Sequence, residues 1–281
     1  MTTIQKSVKY LKVSDIRHLN KRHFILELSS DEPLPMMLPG NFVQVLVEGS
    51  PATFLRRPFS IHSADHGRKT FRLLVQIKGE GTRHLGLLKT GDDLNVIFPL
   101  GNCFSLPRGK DVLLVGGGCG VAPLLFLAQF LKQNRIRPVI LTGWRSKSDI
   151  FEQEEYKKYG EVLVTTEDGS EGEKGLVTDH SILQKEKLAF DRIYCCGPDP
   201  MMKAVSKIAA MHGIDCEVSL ENTMACGFGV CLCCITSTVR GNERVCVEGP
   251  VFNTKDLTWE VMHLSECKTG GVTKDPCCEI K

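Results

Sequence analysis

The sequence carries no excess of charge of either sign. Its 35 Lys and Arg against 33 Asp and Glu give a formal net charge of +2 over 281 residues, with acids and bases interspersed. Nucleic acid and anionic membrane surfaces call for a concentrated basic patch, so neither is expected as a partner. No run is fit to span a bilayer. The most apolar stretch, Val112 to Phe130, is broken by Gly116, Gly117, Gly118, Gly120 and Pro123, whereas a membrane helix needs about 20 mostly apolar residues in succession. The start, Met-Thr-Thr-Ile-Gln-Lys-Ser-Val-Lys, lacks the apolar core of a signal peptide. The eight histidines are scattered and form no pair at metal-ligand spacing. A cytoplasmic setting is therefore expected, in which thiols stay reduced or bind metal.

Cysteine is what the chain has in abundance, 13 in all. Met-Ala-Cys226-Gly-Phe-Gly-Val-Cys231-Leu-Cys233-Cys234, followed further on by Cys246, is the densest segment. Cys226, Cys231 and Cys234 have the C-x4-C-x2-C spacing of a plant-type 2Fe-2S loop, with Cys246 a distant fourth thiolate. A loop that wraps three thiolates around a diiron cluster must turn tightly, which Gly227 and Gly229 permit. A tetrahedral zinc site, or a set of buried reduced cysteines, are the alternatives; zinc sites usually come as two short cysteine pairs. Cys233 is out of register and reads as a bystander.

Two domains of ordinary size are the prior for this length. In the first hundred residues, Val8 to Val13, Phe24 to Leu28, Phe42 to Val47, Phe71 to Ile77 and Asp93 to Phe98 are β-rich, and Pro33, Pro35, Pro39-Gly40 and Thr90-Gly91-Asp92 punctuate them, which predicts a small antiparallel barrel. Arg56-Arg57-Pro58-Phe59-Ser60 sets a guanidinium fork suited to a pyrophosphate beside an aromatic ring able to stack on a planar cofactor, or is a barrel strand with a surface arginine. Gly79-Glu80-Gly81-Thr82 is a phosphate approach or a plain hairpin turn.

From Asp111 the period changes. Val112-Leu-Leu-Val115 suits a buried parallel strand, and Gly116-Gly117-Gly118-Cys119-Gly120-Val-Ala-Pro123 leads into a predicted helix over Leu124 to Lys132. A glycine loop between a parallel strand and a helix N-terminus is a phosphate-binding arrangement. The pattern continues with strands at Pro138 to Thr142, Val162 to Thr165 and Arg192 to Cys196, and helices over Asp149 to Lys158 and Met201 to Met211. Gly116 and Cys196 fall at carboxyl ends of strands, where open α/β sheets bind ligands. Arg145, Ser146 and Lys147 after the second strand suit either a 2'-phosphate or a solvated loop.

Taken in order over about Val8 to Phe252, Arg57-Pro58-Phe59-Ser60, Gly81-Thr82, Gly116 to Pro123, Cys196-Gly197-Pro198, the spaced cysteines and Gly249-Pro250-Val251-Phe252 resemble the ferredoxin-reductase family of flavin and nicotinamide enzymes. Within it they are similar to the electron transfer subunits of B-type dihydroorotate dehydrogenases. The resemblance implies an FAD-binding β-barrel (1–108), a doubly wound α/β domain for NAD (109–219), a 2Fe-2S subdomain (220–252) and a C-terminal extension of unknown role (253–281). It implies that Arg57, Pro58, Phe59, Ser60, Leu74, Val75, Gln76, Gly81 and Thr82 hold FAD. Gly116, Gly117, Gly118, Gly120, Pro123, Cys196, Gly197 and Pro198 would serve NAD, and Cys226, Cys231, Cys234 and Cys246 the cluster, leaving Cys267, Cys277 and Cys278 over. It further implies an FMN-containing catalytic partner in a heterotetramer of two copies of each chain, passing electrons through 2Fe-2S and FAD to NAD+ in pyrimidine biosynthesis, with no catalytic acid or base on this chain. The alternative is the small subunit of another NAD(P)H-linked complex, of the ferredoxin-NADP or sulfide dehydrogenase type. Cys119 in the glycine loop departs from the family pattern and reads as a tolerated small side chain.

Overall fold

The computed structural model describes residues 6–259. Cys267, Cys277 and Cys278 and the greater part of the tail lie outside them. Strands β1 (Ser7–Asn20), β2 (His23–Ser29), β3 (Phe42–Val45), β4 (Arg57–Asp65), β5 (Thr70–Gln76) and β6 (Asp93–Leu100) close into an antiparallel barrel of order β1-β2-β5-β4-β3-β6. Side chains alternate across a strand, so one residue in two fills the interior. Leu11 and Val13, Phe24, Leu26 and Leu28, Val43 and Val45, and Leu73 and Val75 meet there, all fully buried or nearly so. At about 1.5–3 kcal/mol for each large apolar side chain buried, this interior is the barrel's main source of stability. A six-residue helix α1 (Glu80–Leu85) stands where the sequence reads as a turn, because Thr82 Oγ1 accepts hydrogen bonds from the N–H groups of Lys78 and Gly79 at 2.9 and 3.1 Å and so closes the helix start.

The second domain carries β7 (Val112–Gly117), α2 (Ala122–Gln133), β8 (Val139–Trp144), α3 (Gln153–Lys157), β9 (Glu161–Thr166), β10 (Glu173–Lys174), β11 (Arg192–Cys196), α4 (Asp199–Met211) and β12 (Asp215–Ser219). With β15 (Val251–Asn253), they form a seven-stranded sheet of order β10-β9-β8-β7-β11-β12-β15, parallel except for β15. The continuous apolar run of β7 is buried throughout, as a strand covered on both faces requires. The sequence predicts one helix over Asp149 to Lys158. Instead a 3-10 turn (Lys147–Asp149) gives way to extended Ile150, and Glu152 takes φ +54 before α3 begins. That break buries Phe151 edge-on against Trp144.

The cysteine segment is an excursion between β12 and β15, with a short hairpin β13 (Ile235–Thr238) and β14 (Gly241–Arg244). Cys234, Val245 and Cys246 are packed into the same apolar cluster as Val218 and Phe252 of the sheet. The chain continues past β15 into a 3-10 turn (Thr254–Asp256), and Leu257 bridges to Thr238. Residues 253–259 thus pack on this chain itself.

Barrel and sheet share a core. Ile25 and Leu74 point outward from the barrel to join Leu124, Leu125 and Leu127 of α2. His62 on β4 adds a polar strut, with Nδ1 2.8 Å from the Ala122 carbonyl and Nε2 2.7 Å from Glu152, while Arg17 on β1 donates to the other Glu152 oxygen at 2.6 Å. Tyr156 donates its hydroxyl to the Val121 carbonyl at 2.9 Å, so the loop from β7 to α2 is pinned from two sides.

Candidate functional site

Two cavities meet where the barrel faces the carboxyl edge of the parallel sheet. The first, about 600 Å³, lies over β4, β5 and α1. Arg57, Pro58, Phe59, Ser60, Leu74, Gln76, Gly81 and Thr82 line it. The guanidinium of Arg57 is steadied by donation to the Leu55 carbonyl at 2.9 Å, and its Nε lies 3.5 Å from where a Cβ on Gly81 would stand. A cation and the opening amides of α1 are thereby set side by side. Arg56 turns the other way and donates to Asn95 Oδ1 at 2.6 Å. Val75 points into the barrel interior and does not line the cavity, as alternation between Leu74 and Gln76 dictates.

The second cavity, about 730 Å³, opens at the ends of β7, β8 and β11. Gly117, Gly118, Gly120, Gly197 and Pro198 line it, whereas Gly116, Pro123 and Cys196 lie behind its wall. Parallel pairing sets Gly116 directly opposite Cys196. Gly120 then passes so close to β11 that a Cβ there would fall 2.3 Å from the Cys196 carbonyl oxygen. Cys196 is 2% exposed, and burial drives its thiol well above the ordinary range, with Glu221 adding to the effect. Cys119 is likewise pushed up to about 12, first by burial and then by Glu221.

Gln76, Lys78, Cys119 and Glu221 belong to both cavities and mark their seam. The sequence alone assigns no site role to Lys78, Glu221, Asn222, Thr223 or Met224. The strand β12 went unread, yet the residues just beyond its carboxyl end are where an open α/β sheet is expected to bind. Cys119, the small side chain of the glycine loop, lines both cavities at that seam.

Leu220 to Met224 runs along the first cavity and leads straight into the cysteine loop. Gly227 and Gly229 take φ +79 and +94, a left-handed geometry that glycine enters without strain. The Val230 amide donates to Cys226 Sγ at 3.3 Å and the Cys246 amide to Cys234 Sγ at 3.4 Å. Burial raises the Cys226 thiol, but the N–H groups of Cys231, Phe228 and Val230 outweigh it and leave the group at about 6. Cys246 is pushed up to about 12 by burial and then by the neighbouring Cys234 sulfur. Cys231 and Cys233 are exposed, Cys234 and Cys246 buried. All ten cysteines among the described residues are free thiols, and among the described residues no three Cys, His, Asp or Glu side chains are grouped as a single-ion site. Phe228, Val230, Leu232 and Ile235 leave an exposed apolar rim around the loop.

Residues 221–258 match the family described as the iron-sulfur cluster binding domain of dihydroorotate dehydrogenase B, and residues 114–207 match the oxidoreductase NAD-binding domain. The chain is 40% identical over 229 residues to the dihydroorotate dehydrogenase B (NAD(+)) electron transfer subunit of Fusobacterium nucleatum, covering 79% of this chain and 87% of that one. The chain belongs to the dihydroorotate dehydrogenase B electron transfer subunit family. The member from Caldanaerobacter subterraneus is 43% identical over 223 residues, covering 78% and 86%, and that from Bacillus caldolyticus 37% over 254, covering 88% and 97%. Among solved structures, a chain of the NADH-dependent reduced ferredoxin-NADP oxidoreductase superposes with TM-score 0.80 at 30% identity, covering 89% of this chain and 90% of that one. The FAD/NAD-binding domain of Vibrio cholerae nitric oxide dioxygenase, at 21% identity and TM-score 0.65, shares the fold.

The groups this family implies fit the residues present. A cavity lined by an arginine, an aromatic ring and a helix start suits FAD, and a glycine loop at strand ends suits a dinucleotide. Thiols that receive main-chain N–H groups suit an anionic iron-sulfur cluster.

Proposed function

We propose that this chain is the electron transfer subunit of an NAD-linked dihydroorotate dehydrogenase of pyrimidine biosynthesis, taking electrons from the FMN of a separate catalytic subunit and delivering them to NAD+. The continuity of the site carries this reading: the nicotinamide cavity and the flavin cavity share a seam, and the flavin cavity runs through Leu220 to Met224 into the cysteine loop. FAD, when bound, exchanges hydride with NAD and single electrons with a 2Fe-2S cluster. The chain's own residues bind and orient.

Arg57 and the Gly81-Thr82 amides hold the flavin pyrophosphate, Pro58, Phe59 and Ser60 with Leu74 and Gln76 flank the ring system, and Val75 supports them from inside the barrel. Gly117, Gly118 and Gly120 bring main-chain N–H groups to the dinucleotide, with Gly197 and Pro198 opposite. Gly116, Pro123 and Cys196 shape that wall from behind. Cys226, Cys231, Cys234 and Cys246 ligate the cluster, and Cys233 does not. No side chain need act as a general acid or base, since the chemistry belongs to the cofactors. The exposed rim of Phe228, Val230 and Leu232 takes the partner, in a cytoplasmic assembly of two copies of each chain. A ferredoxin-NADP type of small subunit is the less favoured reading, since the named dihydroorotate dehydrogenase relatives are 34–43% identical against 30% for that structure.

Replacing Cys231 by Ser tests the scheme. It should abolish partner-coupled electron transfer while NADH still reduces bound FAD; wild-type coupling in a protein shown to lack the cluster would sink it. NADH should be oxidised in preference to NADPH in the same assay.

A further inference from the structure

Gln44 occupies an anomalous place. On β3, Val43 and Val45 point into the barrel, and Gln44 points outward beneath the cysteine loop. It is 0% exposed, and neither its Nε2 nor its Oε1 has a hydrogen-bond partner. Among the described residues, the only other buried side-chain polar atom left unpaired is Thr165 Oγ1 in the nicotinamide sheet. A carboxamide presents two donor hydrogens and an acceptor, and a buried amide with none of them satisfied is destabilising unless something absent from the polypeptide completes it. Methionine or leucine would fill the same volume without that penalty.

The neighbour shows what completes it. Gln44 packs on Gly227, the residue after Cys226, so closely that a Cβ on Gly227 would stand 2.5 Å from Gln44 Cγ and 2.7 Å from Nε2. The amide thus lies against the loop that carries Cys226 and Cys231. The Arg56 guanidinium, the cation nearest along the chain, is engaged by the Gln44 and Asn95 carbonyls and by Asn95 Oδ1, and is not available to the side-chain amide.

We infer that Gln44 donates its side-chain N–H to a sulfur of the bound 2Fe-2S cluster and thereby sets the cluster's reduction potential. The inference rests on the reading that Cys226, Cys231, Cys234 and Cys246 hold that cluster. Thiolate and sulfide sulfurs are anionic acceptors, and reduction adds a further negative charge to them. An N–H···S bond is therefore stronger in the reduced state and raises the potential. Gln44 belongs to the barrel while the cysteines belong to the excursion from the sheet, so the contact also couples cluster tuning to the seating of the two domains.

Gln44→Met keeps the length and removes the donor. In the complete chain, with iron, sulfide and FAD contents matching wild type, an EPR-monitored redox titration should show the reduced-to-oxidised ratio falling tenfold at a fixed potential, a lowering of about 59 mV for a one-electron couple. An unchanged midpoint at full occupancy overturns the inference. A second measurement does not depend on the variant retaining its cluster: pulsed EPR of the reduced wild type carrying glutamine labelled with 15N in its side chain should show a nitrogen coupling. Absence of the coupling in wild type also overturns it. Wild-type protein without iron and sulfide would instead refute the cluster reading itself, and the inference with it.

Discussion

Gly120→Ala is the sharpest steric test of the nicotinamide cavity. The added Cβ would lie 2.3 Å from the Cys196 carbonyl oxygen, 2.5 Å from its carbon and 2.5 Å from Gly197 Cα, where ordinary contact is 3.4–4 Å. All three are main-chain atoms of β11 or the turn after it, so no rotamer change relieves the clash, and the two loops must part by about 1 Å. Overpacking of this kind costs about 1–3 kcal/mol of stability, and a displacement of about 1 Å in a positioning element costs on the order of 100-fold in function. Gly118→Ala is the matched control: it meets nothing within 4 Å but sits at φ +53, so it costs only about 1–2 kcal/mol of left-handed strain. Titration of the purified proteins with NADH, read by flavin absorbance, should show binding weakened by about 10- to 100-fold in Gly120→Ala with FAD content unchanged. Wild-type NADH affinity in a folded Gly120→Ala protein would refute the assignment of this loop.

Cys246→Ser should lose iron and sulfide by chemical analysis together with the visible cluster absorption, whereas Cys233→Ser should keep both. Glu152→Gln weakens the hydrogen bonds that a carboxylate side chain only 4% exposed makes to His62 and to half-exposed Arg17, and should cost about 1.5–3 kcal/mol in urea unfolding at neutral pH. Burial alone would raise the Glu152 carboxyl, but His62 and Arg17 outweigh it and hold the group below its usual range. The stabilisation is therefore present above the ordinary carboxylate pKa and is lost as pH falls through the lowered folded value. The gap between wild type and Glu152→Gln should accordingly narrow at acid pH, and a constant gap would contradict the ion pair. Val230→Ser with Phe228→Ser should slow partner-coupled turnover and leave NADH reduction of bound FAD unchanged, as stopped-flow measurements would show.

The barrel and the parallel sheet were legible because their signals are local: β-rich segments punctuated by proline and glycine turns in the barrel, a continuous apolar β7, and a glycine loop before α2. The cysteine spacing was legible for the same reason, since the three cysteines of the C-x4-C-x2-C pattern, Cys226, Cys231 and Cys234, lie within nine residues. What escaped was set by distant parts of the chain. Helix α3 looked longer because nothing in Asp149 to Glu152 announces that Phe151 must turn in to meet Trp144. Glu221 and Lys78 became neighbours of one seam only when β12 and β5 were brought to it by the whole sheet and barrel. Val75 followed the motif around it in sequence but the pleat of its strand in space. Gln44, an ordinary strand residue in the sequence, gains meaning only from the loop folded over it.

The central claim is tested most directly by producing this chain together with an FMN-containing dihydroorotate dehydrogenase subunit and assaying anaerobic reduction of NAD+ by dihydroorotate, with iron, sulfide, FAD and FMN quantified on the purified complex. The account predicts dihydroorotate-dependent NADH formation with one FAD and one 2Fe-2S cluster per copy of this chain and FMN on the partner. A complex with FAD and cluster intact that forms no NADH from dihydroorotate would contradict it and assign this electron relay to a different flavin complex.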